Sequence, residues 1–167
     1  MKSKQLVIVD YGVGNFRNVQ KAFQAVGAEA IITDQIGEVE KAAAVVLPGV
    51  GAFGDAIDNL RRRDLEKPVM AAAQSGKPFF GICVGMQLLF EYSDEMGHHT
   101  GLGLIPGYVT RFRKDLTVPH MGWNQIEPTC EHPLLADIKF GDFAYFAHSY
   151  TCVPRNEAHI IARTEYG

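Results

Sequence analysis

Short apolar runs alternate with amphipathic stretches through the first half of the chain, and that alternation predicts strands joined by helices. Gln5 to Val9 is a nearly continuous apolar run, as expected of a strand buried on both faces of a parallel sheet. From Phe16 to Val26 the apolar positions Phe16, Val19, Phe23 and Val26 recur at helical spacing, and Gly27 closes the pattern as a C-terminal cap. The pattern then repeats: a strand from Ala28 to Ile32, a short polar helix from Glu38 to Ala42, and a strand from Ala44 to Leu47. A glycine-rich loop, Pro48 to Gly54, follows; Asp55 to Arg63 and Lys67 to Gly76 read as helices, Pro78 to Gly81 as a fourth strand, and Val84 to Tyr92 as a helix. Alternation of this kind builds right-handed crossovers and a doubly wound, mostly parallel α/β sheet, with sites at the carboxyl ends of its strands. After about Gly97 the character changes. Tyr108 to Phe112, Trp123 to Ile126, Asp142 to His148 and His159 to Arg163 read as strands joined by turns, so an antiparallel extension is expected.

The 167 residues fit one domain with a core of its own, and no internal repeat or linker divides them. Hydrophobic residues at 47% and charged residues at 21% exclude a disordered or fibrous chain. Net charge is −3, and the one basic cluster, Arg61-Arg62-Arg63, is followed at once by Asp64 and Glu66. That triplet reads as a solvated helix end, and nucleic acid is not an expected partner. The three cysteines, Cys83, Cys130 and Cys152, form no Cys-x-x-Cys pair and suggest neither a disulfide framework nor a zinc site; no metal or cofactor is expected. The apolar run after Met1-Lys2-Ser3-Lys4 stops at Asp10, too short for a signal peptide, and no later segment is long enough to span a membrane. A cytoplasmic protein is the expectation.

Cys83 is the residue that carries chemistry. In Gly81-Ile82-Cys83-Val84-Gly85 a thiol stands between two glycines where a strand gives way to a helix. At such an elbow, side chains two before and two after the nucleophile would collide, so both positions need glycine. A helix start behind the thiol would favour the reactive thiolate. A lone cysteine in an apolar stretch also fits a small buried hydrophobe, so the rest of the chain must decide. A thiol attacking an amide needs donors aimed at the developing oxyanion, and the loop Pro48 to Gly54 can turn backbone N–H groups toward a ligand. It also needs a base. Of six histidines, His120 and His148 are the better placed, and spacing does not choose between them. Gly12 and Gly14 invite a dinucleotide reading, which fails because Arg17 occupies the third glycine position.

Together, Asp10 to Asn15, Pro48 to Asp55, Gly81 to Phe90, Gly101 to Ile105, Val118 to Asn124 and Tyr145 to Tyr150 closely resemble the glutaminase subunits of imidazole glycerol phosphate synthase, class I glutamine amidotransferases of histidine biosynthesis. The resemblance implies a flavodoxin-like fold in which Cys83 attacks the amide of glutamine, forms a glutamyl thioester and releases ammonia. It implies backbone amides at Gly49, Val50 and Gly51 as the oxyanion hole, and Gln87, His148, Ser149 and Tyr150 as glutamine-holding positions. It further implies a heterodimer with a barrel-shaped cyclase subunit that receives the ammonia, met through Asn15, His120, Met121, Trp123 and Tyr145. Trp123 also fits a core aromatic. The family's His-Pro-Glu motif, which carries the catalytic histidine and glutamate, does not occur in these 167 residues. The expectation is therefore a single amidotransferase domain, 1–167, truncated at its C-terminus. Val84, where the family often has leucine, is a mild departure. Two other readings share the thiol turn: a non-catalytic, redox-sensing domain, and a cysteine peptidase on the same fold. The glycine-rich loop and the Tyr145 to Tyr150 block argue against a sensor, and a dedicated partner face argues against a peptidase.

Overall fold

The computed structural model describes residues 5–167; the charged opening Met1 to Lys4 lies outside the described residues. Its first half runs β1 (Leu6–Val9), α1 (Phe16–Ala25), β2 (Ala30–Thr33), α2 (Ile36–Lys41), β3 (Ala44–Gly49), α3 (Phe53–Arg62), α4 (Glu66–Gln74), β4 (Phe79–Cys83) and α5 (Val84–Gln87). The four strands form a parallel sheet in the order β2-β1-β3-β4. This is the beginning of a flavodoxin-like order, whose reversal between β1 and β3 opens a crevice at the strands' carboxyl ends. Successive residues of the inner strands face opposite layers. Val7, Val9, Val45 and Leu47 join Phe53, Ile57, Leu60, Leu65 and Val69 in the larger core, while Ile8 and Val46 meet Phe16, Val19 and Phe23 of α1. The period-2 geometry of a strand thus turns a continuous apolar run into two half-cores.

Helix α1 ends as the sequence indicated. Gly27 adopts φ 79°, and the Gly27 and Ala28 N–H groups donate to the Gln24 and Phe23 carbonyls in a Schellman pair. Val26, expected on the apolar face, is instead 79% exposed, because the helix has already closed at Ala25.

Two expectations change around the site. The glycine loop is shorter than Pro48 to Gly54, since Pro48 and Gly49 pair with β4 and Phe53 begins α3; only Val50 to Ala52 connect them. The helix after Cys83 is one turn, not a helix to Tyr92. Its continuation is captured by Gly101 to Ile105, whose N–H groups donate to the carbonyls of Leu88, Leu89, Phe90 and Glu91. Those carbonyls are the ones a longer helix would need.

The second half begins earlier than Gly97 and is not purely antiparallel. It contains β5 (Phe90–Ser93), β6 (His99–Thr100), β7 (Ile105–Arg111), β8 (His120–Gln125), β9 (Glu127–Pro128), β10 (Phe143–His148), β11 (Tyr150–Pro154) and β12 (Ala162–Arg163). A mixed sheet has the order β11-β7-β5-β6, with β5 and β7 parallel across a bulge. β8 and β10 form a separate antiparallel ribbon, and β9 pairs with β12. The strand expected over His159 to Arg163 is reduced to Ala162–Arg163, because the Asn156 side chain caps a 3₁₀ turn ending at His159. Among the described residues no helix is long and apolar enough to cross a membrane.

Leu60 is fully buried between α3 and the sheet. Its replacement by alanine is expected to cost about 2–5 kcal/mol. Val26→Ser, on the exposed helix end, should stay within about 0.5 kcal/mol. Urea unfolding midpoints of the two variants check the contrast.

Candidate active site

Cys83 ends β4 with φ 53° and ψ −118°, a conformation that costs a non-glycine residue energy and persists only where its surroundings impose it. Three glycines impose it. A Cβ on Gly81 would stand 2.7 Å from the Met86 Cα, one on Gly85 would overlap the Leu47 carbonyl oxygen, and one on Gly49 would lie 2.6 Å from the Gly85 nitrogen. Gly49 is the register partner of Cys83 across β3 and β4. Backbone therefore packs directly on backbone, and the thiol is turned out of the sheet into an exposed position.

There it faces a cavity of about 380 Å³ lined by Val50, Gly51, Cys83, Val84, Gln87, Glu95, Pro119, Met121, Ala147, His148, Ser149 and Tyr150. Of the residues expected from sequence, Cys83, Val50, Gly51, Gln87, His148, Ser149 and Tyr150 meet on this one wall-to-wall site. Gly51 holds φ 80°, a backbone conformation that favours glycine, with open space beside its Cα. Gly49 is not part of the lining; it is buried under the elbow as a packing residue.

Glu95 was not singled out from sequence, where nothing distinguishes it among 19 acidic residues. Its Oε2 accepts the Phe53 N–H at 2.7 Å, at the first turn of α3, so a carboxylate braces the helix that follows the Val50 to Ala52 connection. It is the one carboxylate in the cavity lining.

His148 stands in the lining but both ring nitrogens are engaged. Nδ1 is 2.9 Å from the Tyr150 carbonyl and Nε2 is 3.3 Å from His120 Nδ1. It is therefore not placed as a base for the thiol, and no other histidine is in the cavity lining. His120 itself is 5% exposed, and burial, reinforced by His148, lowers its pKa.

Pleating of the β8·β10 ribbon explains that burial. Residues on one side are Met121, Trp123 and Tyr145, exposed by 64%, 70% and 57%; His120, Asn124, Phe146 and His148 lie on the other. Trp123 pairs with Tyr145 across the strands, ring centroids 5.8 Å apart, and is not a core aromatic. His120, expected with this exposed set, points the opposite way because neighbouring strand residues face opposite sides. Asn15 is exposed at the start of α1, away from the cavity lining.

Under the thiol, Tyr11 is fully buried, and its hydroxyl has no hydrogen-bond partner among the described residues. Burial and the neighbouring Cys83 raise its pKa. A larger hollow of about 500 Å³ lies elsewhere, along Cys130 to Ile138, but its His132 Nδ1 already accepts the Leu134 N–H. Among the described residues no group of three or more His, Cys, Asp or Glu side chains could hold a metal ion.

A thiol at a glycine-packed strand end, facing a short backbone loop on this strand order, is the arrangement of the class I glutamine amidotransferases, and the chain belongs to that family: the description "Glutamine amidotransferase class-I" matches residues 7–167. Among curated proteins it is 50% identical to the imidazole glycerol phosphate synthase subunit HisH of Salinibacter ruber, over 96% of this chain and 77% of the relative. The subunits of the same name from Syntrophotalea carbinolica and Aquifex aeolicus are 47% and 46% identical, covering 97% and 96% of this chain and 82% and 78% of theirs. Among solved structures, a glutamine amidotransferase superposes with a TM-score of 0.72 at 20% identity, covering 94% of this chain and 79% of its own. PurLQS from Thermotoga maritima gives 0.73 at 20% identity, covering 98% and 75%. At these identities the likeness to solved structures concerns the fold.

Burial pushes the Cys152 thiol up to about 12 from its ordinary 9.0, with Cys83 adding to the rise. A thiol whose pKa is raised by folding stabilises the fold fully below pH 9.0 and loses that contribution as pH climbs toward 12. At about pH 8 iodoacetamide should label exposed Cys83 and Cys130 and spare Cys152. Peptide mass mapping of the native protein checks the order.

Proposed function

We propose that this chain is the glutaminase subunit of an imidazole glycerol phosphate synthase and that Cys83 is its nucleophile. The thiolate attacks the side-chain amide carbon of glutamine, the tetrahedral intermediate expels ammonia, and a glutamyl thioester remains on Sγ. Water then releases glutamate and restores the thiol. Backbone N–H groups at Val50 and Gly51 are suited to the oxyanion, since an anionic oxygen is best held by donors fixed before it forms. Glu95 offers a counter-charge to the substrate's α-ammonium, and Gln87, Ser149 and Tyr150 offer polar groups for the rest of the amino acid. A base must take the thiol's proton and return it to the departing nitrogen so that it leaves as ammonia, a role for which His148 is not free.

The observation that carries this reading is the convergence of Cys83, Val50, Gly51, Gln87, Glu95 and Tyr150 on one cavity of about 380 Å³, a volume suited to a small ligand. The relatives' name describes a synthase subunit, which supports a partner subunit; we take that partner to be a barrel-shaped cyclase that consumes the ammonia. Exposed Met121, Trp123 and Tyr145 beside the cavity are the natural face for it, because large apolar side chains clustered at a surface mark an interface; exposed Asn15 is assigned to the same face. The 167 residues are read as part of one amidotransferase domain, and three free cysteines suit the cytoplasm.

A chloroketone analogue of glutamine is expected to alkylate Cys83 with saturable kinetics, and glutamine to protect it. Labelling at Cys130 or Cys152 instead, or labelling that glutamine does not slow, would overturn the assignment.

A further inference from the structure

The inner side of the β8·β10 ribbon carries a hydrogen-bond chain whose direction is fixed by its last acceptor. The Tyr150 carbonyl can only accept, so the proton of neutral His148 is on Nδ1, 2.9 Å away. That leaves His148 Nε2 without a hydrogen, and it accepts from His120 Nδ1 at 3.3 Å. His120 Nε2 is then bare in turn and accepts from the Asn124 side-chain amide, also at 3.3 Å. The amide cannot be reversed without loss, since Asn124 Oδ1 accepts the Gln125 N–H at 2.8 Å and Nδ2 also donates to the Glu165 carbonyl at 2.9 Å. With both rings neutral, each donor and acceptor from Asn124 to Tyr150 has one assignment.

The middle of the chain, His120, is buried. His120 lies between the rings of Phe146 and Tyr166, with centroids 4.8 and 3.8 Å away, and Phe112 packs edge-on against both histidines. Water has little access to replace a lost bond there, and a buried group left unpaired bears its full desolvation cost. The chain also reaches the nucleophile's turn, because Gln87 Nε2 donates to the same Tyr150 carbonyl at 3.4 Å. Tyr150 is thus pinned from the ribbon on one side and from α5 on the other.

We propose that His120 and Asn124, which do not line the cavity, are positioning residues that hold His148 and the Tyr150 backbone in place for the substrate through this directed chain. The proposal rests on the glutaminase reading for the identity of the ligand, while the chain itself is a matter of proton placement. Its consequence is that each imidazole, when neutral, is the Nδ1–H tautomer, the less common form of histidine in water.

Two variants separate hydrogen bonding from packing. His120→Phe keeps a ring between Phe146 and Tyr166 but donates nothing, whereas His120→Asn loses the ring and keeps an N–H near the Nδ1 position. In alkylation by the glutamine chloroketone, His120→Phe should raise the half-saturating concentration about tenfold while the maximal rate stays within about twofold, and His120→Asn should lie closer to the parent. Nitrogen-15 spectra of the parent should show Nδ1–H tautomers at His120 and His148. An Nε2–H tautomer at either ring, or a His120→Phe variant that saturates like the parent, or one that outperforms His120→Asn, would overturn the proposal. A parent chain whose Cys83 is not labelled saturably would instead overturn the glutaminase reading, and the tautomers would still decide the chain.

Discussion

Everything at the site depends on the contact of three backbone segments where β3, β4 and α5 meet. Gly49, Gly81 and Gly85 each occupy a place where a Cβ would strike backbone atoms. Their close approach holds Cys83 at φ 53°, and that dihedral is what lifts the thiol away from the sheet. The cost of this strained turn is met by the packing around it, since Val84 and Leu88 on one side and Leu47 on the other belong to the larger core. Tyr11, buried beside Gly49 with a hydroxyl that is unpaired among the described residues, is a further sign that the region is shaped for the elbow before it is shaped for local hydrogen bonding.

The turn also sets the position of the Val50 to Ala52 connection, the loop proposed to hold the oxyanion. β3 is in register with β4 through Gly49 and Cys83, so the first residues beyond β3 emerge beside the thiol. Glu95 then steadies α3 from across the cavity through Phe53, which limits how the Val50 to Ala52 connection can move. The Cys83 thiol, the Val50 to Ala52 backbone and the Glu95 carboxylate are in this way positioned by three separate elements rather than by one flexible loop.

Much of this was legible in the sequence for a physical reason. The parallel strands read as apolar runs because both faces are covered, and the elbow reads as Gly-x-Cys-x-Gly because sterics allow little else. What the sequence did not disclose was nonlocal. Leu88 to Tyr92 has a helical pattern, yet the N–H groups of Gly101 to Ile105 claim its carbonyls and draw it into strand pairing. Glu95 lies far from Phe53 in sequence, so its bracing role has no local signature. His120 could be placed near Met121, Trp123 and Tyr145 by motif, but its side depended on strand register, and a one-residue step in a strand reverses the face. The ribbon consequently has two characters: an apolar outer side, and an inner side on which histidines are sequestered among aromatic rings.

The most direct measurement of the central claim is a crystal structure of the glutamine chloroketone adduct. The account predicts a bond to Cys83 Sγ, the ketone oxygen within hydrogen-bond distance of the Val50 or Gly51 N–H, and the α-ammonium group facing Glu95. An adduct whose oxygen turns away from the Val50 to Ala52 connection, with its amino group remote from Glu95, would contradict it.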